Sequence, residues 1–128
     1  MVIPSDLRAA HKLALELLGI VNRCGYEESC AFAIRLALEE ALSNAIRHGN
    51  QMNPAKAVEV EYDIDPRRAI ITVTDQGEGF NPAVVPDPTI DENLEKPSGR
   101  GIMLMRAYMD EVCFNNRGNQ VRLVKQNH

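Results

Sequence analysis

Residues 57–64, AVEVEYDI, alternate strictly between apolar and polar. Val58, Val60, Tyr62 and Ile64 therefore share one face of a half-buried strand, and the polar residues share the other. The turn Asp65-Pro66-Arg67-Arg68 and a second strand over 69–74, AIITVT, follow at once, so the two strands make a hairpin. A sheet built on such a hairpin needs apolar cover on one face and tolerates water on the other. Three helical patterns can supply that cover. The first starts at a Ser5 or Asp6 cap, runs to about residue 22, and carries Leu7, Ala10, Ala14, Leu17, Leu18 and Val21 three or four apart. After a turn at Cys24-Gly25-Tyr26, a second spans about 27–48 with the stripe Ile34, Leu38, Ala41 and Ala45, and Gly49 follows as a C′ residue. The third starts near Gly101, carries Leu104 and Met105, and ends near Met109.

Two more strands, over 112–115 and 120–125, are joined by residues 116–119. The order ααββ–loop–αββ predicts an α+β fold, a two-layer sandwich with helices on one face of a mixed, mainly antiparallel sheet. The 128 residues suit one domain spanning 1–128, with 45% hydrophobic residues to fill a core. A net charge of −4 argues against direct nucleic-acid binding and against an anionic membrane surface. No apolar run approaches the ~18–20 residues of a membrane span, and MVIPSDLRAA lacks the look of a signal peptide. Cys24, Cys30 and Cys113 are odd in number, without a CxxC or a metal-ligand spacing, so the expectation is reduced thiols in a cytoplasmic protein.

Three stretches carry chemistry. In EEALSNAIRHGN, residues 39–50, Glu40, Asn44 and His48 recur every four residues and so line one side of a helix. This is either a polar flank on a core helix or a site in which Glu40 serves as a base and Asn44 offers an amide oxygen to a hard cation such as Mg²⁺. His48 reads as a helix C-terminal residue facing the dipole. Asp75-Gln76-Gly77-Glu78-Gly79-Phe80-Asn81-Pro82 directly follows a strand. Asp and Gly suit a turn; equally, Gly77 and Gly79 let the backbone approach a flat ligand, and Asp75 can accept a hydrogen bond from an exocyclic amine such as that of adenine. Ser98-Gly99-Arg100-Gly101 opens a helix, where free N–H groups favour phosphate. It is neither a Walker A loop nor a dinucleotide fingerprint. Between the second and third stretches, residues 81–98 hold four of the seven prolines and no steady period, as a functional loop would.

In this order and spacing the chain resembles the GHKL ATPase superfamily, with its Bergerat fold, and more narrowly the anti-sigma factor serine-protein kinases. EEALSNAIRHGN, DQGEGFNP and SGRGIMLMRAYMDEV carry the resemblance, which covers about residues 5–125. It implies ATP and Mg²⁺ as ligands, with Glu40 as general base and Asn44 as the Mg²⁺ ligand. It implies that Asp75 binds the adenine amine, that Gly77 and Gly79 shape the base pocket, and that Gly99, Arg100 and Gly101 lie at the phosphates under a lid formed by 81–98. Asn119 stands where the family has a threonine, within reach of adenine. The implied activity is transfer of phosphate to a serine on a STAS-type anti-anti-sigma protein, with a sigma factor as a further partner and a homodimer as an assembly the family often adopts. Pro97 stands where well-studied members have a phosphate-contacting arginine; Lys96 is beside it, and Arg100 and Arg47 are the candidate substitutes. That departure motivates the alternative of a nucleotide-gated binding module that sequesters a regulator with little or no turnover. The family's N-terminal strand is reduced to Val2-Ile3.

Overall fold

The computed structural model describes residues 1–77 and 99–127, the side chains of Gly99 and Arg100 excepted. Five strands form one sheet: β1 (Val2–Pro4), β2 (Ala57–Ile64), β3 (Arg68–Thr74), β4 (Glu111–Phe114) and β5 (Gln120–Gln126). Their spatial order is β1-β2-β3-β5-β4, and every pairing among the described residues is antiparallel. Helices α1 (Leu7–Arg23), α2 (Glu28–Asn44) and α3 (Gly99–Tyr108) supply the second layer. The expected α+β sandwich is the one observed.

The alternation of β2 works as expected where helices lie above it. Val58 and Val60 are fully buried, and across the hairpin Ile71 and Val73 join them. Tyr62, opposite Ile71, shares that face but stays 42% exposed. The hairpin turn is closed by Asp65, whose Oδ1 accepts the amides of Arg67 and Arg68 at 2.7 and 3.0 Å. Those two bonds, first of all, hold the Asp65 carboxyl below its usual pKa.

Asp6, not Ser5, caps α1, with its carboxylate accepting the Arg8 amide at 2.9 Å. Ser5 is buried and donates to the Lys56 carbonyl at 2.8 Å. The buried stripe of α1 also includes Leu13, while Leu18 is only half-buried. Helix α2 is the centre of its layer, packed against α1, α3, β3 and β5. With the turn that continues it, it accordingly buries more than one stripe: Ile34, Leu38, Ala41 and Ala45, as expected, and also Ala33, Ala37, Leu42 and Ile46.

The expected glycine cap at Gly49 is not what ends the helix. Residues Ala45–Gly49 form a π turn closed by the Asn50 amide on the Ala45 carbonyl at 2.8 Å. The left-handed residues come later, at Gln51 and Met52, with φ of 52° and 58°.

The far end of the sandwich is pinned by Tyr26, whose buried hydroxyl donates to the Asp65 carbonyl at 2.7 Å and so ties the α1–α2 turn to the hairpin turn. Burial first, then nearby Asp65, pushes its pKa up from 10.0 to about 12. Tyr26→Phe is expected to lower stability by about 1 kcal/mol at neutral pH. Because the folded pKa is raised, the tyrosine's contribution is complete below 10.0 and is lost as pH rises toward about 12. Urea unfolding across that range should show parent and variant converging; a constant gap would refute the assignment.

Candidate nucleotide site

Glu40 and Asn44 occupy the last turns of α2, both half-buried. They meet the first turn of α3 at Gly101. A Cβ placed on Gly101 would lie 2.9 Å from Glu40 Oε2, 2.9 Å from Asn44 Nδ2 and 3.6 Å from Asn44 Oδ1. Two of the three sequence motifs thus converge on one point, and the absence of a side chain at Gly101 leaves space for it. The cradle presents carboxylate and amide oxygens beside a helix N-terminus, a donor set suited to a hard cation carrying phosphate.

Asn44 also lines an open cavity. One wall is the edge of α2 and the π turn, through Ala41, Ala45 and His48. The floor comes from Val73 on β3 and Val121 on β5, and Met105 and Phe114 close it. Asp75 also lines it. The chamber is therefore mostly apolar with a few polar groups, as sites for flat heterocycles are. His48, within the π turn, lines this chamber together with Asn44.

Asp75 is held from several sides. Its amide donates to the Asn119 carbonyl at 2.9 Å, its carbonyl accepts Asn119 Nδ2 at 3.1 Å, and its Oδ1 accepts the Gly77 amide at 2.8 Å. Asn119 is itself set by Asn115, whose side chain bridges the β4–β5 turn to Gly118 and Asn119 at 2.7 and 3.1 Å. Gly118, with φ of 78°, supplies the left-handed residue that this tight turn requires. Burial raises the Asp75 pKa; the Gly77 amide, then Arg117 and Lys56, oppose the shift without cancelling it.

The structure gives Gly77 a reason that the sequence reading did not. A Cβ there would overlap the backbone carbonyl of Gly49, and a Cβ on Gly49 would overlap the Asp75 carboxylate. Both glycines are needed where the end of α2 meets the end of β3. Asn119 likewise uses its amide on Asp75 and Asn115, so within the protein it orients Asp75. Arg47 is exposed and does not line the cavity. Gly79, Lys96, Pro97, the 81–98 segment and the Arg100 side chain lie outside the described residues. Asn50, Asn115 and Arg117 were not foreseen; Arg117 donates to the Gly77 carbonyl at 3.1 Å. An asparagine in a polar loop carries no signal that marks it as buried.

The family model described as a histidine kinase-like ATPase domain matches residues 3–125, and the chain belongs to that family. ATP binding is what this membership implies. Among curated relatives, a serine-protein kinase RsbW from Bacillus velezensis is 29% identical over 98% of this chain and 82% of its own. Another from Oceanobacillus iheyensis is 27% identical over 91% of this chain and 78% of its own. An anti-sigma F factor from Anoxybacillus flavithermus is 34% identical over 72% and 66%. A crystal structure of the RsbU and RsbW domains of a Mycobacterium tuberculosis protein superposes with a TM-score of 0.60 over all of this chain and 32% of that one, at 16% identity, which speaks to the fold.

Two outcomes follow from the packing. Gly101→Ala meets only the ends of flexible side chains, so it is expected to cost about 1 kcal/mol, whereas Gly77→Ala sets a methyl against backbone and should cost about 3 kcal/mol or more. Equal losses in urea titrations would contradict the geometry. The raised Asp75 pKa means that the folded state holds the extra proton, so the ionised carboxylate lowers stability at neutral pH and the loss is relieved as pH falls through the raised value. Asp75→Asn keeps an acceptor for Gly77 and should unfold at higher urea than the parent at pH ~7.5, with the gap closing toward pH ~4. A variant less stable at neutral pH would count against a desolvated carboxylate.

Proposed function

We propose that the chain is an ATP-dependent protein-serine kinase of a partner-switching system, acting as an anti-sigma factor whose substrate is a serine on a STAS-type anti-anti-sigma protein. The observation that carries the reading is the meeting of Glu40 and Asn44 on Gly101, together with the apolar cavity that Asn44 and Asp75 both line. The relatives named as serine-protein kinases and anti-sigma F factor supply the substrate class and the system.

In this reading adenine enters the apolar chamber and its exocyclic amine donates to Asp75. Gly79, Gly99 and Arg100 complete the base and phosphate contacts. The triphosphate runs toward the N-terminus of α3, whose helix dipole favours it. Asn44 would hold Mg²⁺, which would neutralise charge on the phosphates. Glu40 accepts the proton of the substrate serine as its oxygen bonds to the γ-phosphorus. The bond from that phosphorus to the β–γ bridging oxygen breaks, and ADP leaves with the electron pair. None of the described helices is long and apolar enough to cross a membrane.

Glu40→Ala should lower phosphate transfer to the STAS partner by roughly 10²–10⁴-fold, while calorimetry shows ATP binding retained. Asn44→Ala should weaken binding in the presence of Mg²⁺ and change it little without the metal. Transfer by the Glu40 variant at the parental rate would remove Glu40 as the base. ATP binding by the parent with no transfer to any STAS partner would favour the nucleotide-gated binding module.

A further inference from the structure

Asn50 has no part in the chemistry above, yet it is the most completely buried polar residue described, at 0% exposure. Each polar atom of its side chain has a partner. Nδ2 donates to Ser5 Oγ at 2.8 Å and to the Ala57 carbonyl at 2.9 Å, and Oδ1 accepts the Gln76 amide at 2.7 Å. Ser5 passes the chain of bonds on to the Lys56 carbonyl at 2.8 Å. One amide thus joins the β1–α1 corner, the start of β2, the end of the π turn and the residue that follows Asp75.

We propose that Asn50 is a positioning residue for base recognition, setting the Asp75 carboxylate through the Gln76 amide. The inference rests on Asp75 meeting an exocyclic amine, as read above. Asp75 is anchored on its β5 side by Asn119, through bonds of 2.9 and 3.1 Å. On the other side, its next residue is fixed by Asn50 and by Gln76 Oε1, which accepts the Ala57 amide at 2.8 Å. Without Asn50 the Gln76 amide loses its acceptor, and on the β2 side the turn over residues 75–77 is left with the Gln76 side chain on Ala57. The tolerance there is small, because the carboxylate lies where a Cβ on Gly49 would be. A hydrogen bond to a base amine is directional, so a displaced carboxylate recognises it poorly.

The readout that separates positioning from mere structure is base selectivity. Calorimetry of the full chain with ATP and with inosine triphosphate, which has an oxygen in place of the amine, measures it. The parent should prefer ATP by roughly 10-fold or more, as a hydrogen bond to a charged group provides. Asn50→Ala should lose most of that preference through ATP alone, with inosine triphosphate affinity changed by less than about 2-fold. Ser5→Ala, a milder change at the far end of the same chain of bonds, should lose part of it. A folded Asn50→Ala that keeps the full preference, or weakens both nucleotides alike, overturns the proposal. Should Asn50→Ala fail to fold, Ser5→Ala at parental selectivity does the same. A parent with no preference would instead remove the Asp75 reading, and this inference with it.

Discussion

The end of the central helix and the end of the central strand touch backbone to backbone, and the rest of the site is arranged around that contact. Gly49 and Gly77 allow it, since a side chain on either would overlap the other segment. The contact brings Asp75 within the cavity that Asn44 lines from α2. It also requires the helix to end in an unusual way. A regular α-helical exit would direct the chain differently from the π turn at Ala45–Gly49 and the two left-handed residues at Gln51 and Met52. Left-handed non-glycine residues are costly, of order 1 kcal/mol each, and persist where the surroundings over-determine them. Here the surroundings include Asn50, whose side chain is satisfied at every atom.

The same architecture separates two electrostatic environments. At Gly101, Glu40 and Asn44 gather beside a helix N-terminus, which favours anions in front of it. At the other end, Asp75 is desolvated enough that burial outweighs the amide and cations that favour its charge. A partly desolvated carboxylate is a poor choice for stability and a good one for reading a donor, since water competes for it less than at the surface. The fold therefore accepts a local loss at Asp75 and offsets it with the apolar layer of Leu38, Leu42, Ile46, Ile71 and Leu123, all at most 1% exposed.

Much of this was legible in the sequence because periodicity reports burial directly. The alternation over 57–64 and the stripe Ile34, Leu38, Ala41 and Ala45 placed the sheet and its cover, and i, i+4 spacing placed Glu40 beside Asn44. What stayed hidden depends on partners distant in the chain. Whether Ser5 or Asp6 caps α1 turns on Asn50, 45 residues away, which takes the Ser5 hydroxyl into the core. Tyr62 obeys the alternation and remains exposed, because a period assigns a face and not the extent of its cover. The π turn leaves no periodic trace, since it adds a single residue at the end of a helix.

The glycines bear most directly on how such a motif should be read. Glycine after an aspartate at a strand end suggests room for a ligand, and at Gly101 the space does open beside Glu40 and Asn44. At Gly77 the space is already filled by the Gly49 carbonyl, so that glycine serves the fold first and the site through it. The distinction matters for substitution: at Gly101 the neighbours are side-chain ends that can turn aside, whereas at Gly77 the neighbour is main chain that cannot move without shifting α2 or β3. Two glycines of similar appearance in the sequence thus act at different levels. One leaves space for polar groups to meet, and the other lets two elements approach closely enough for a common cavity to exist.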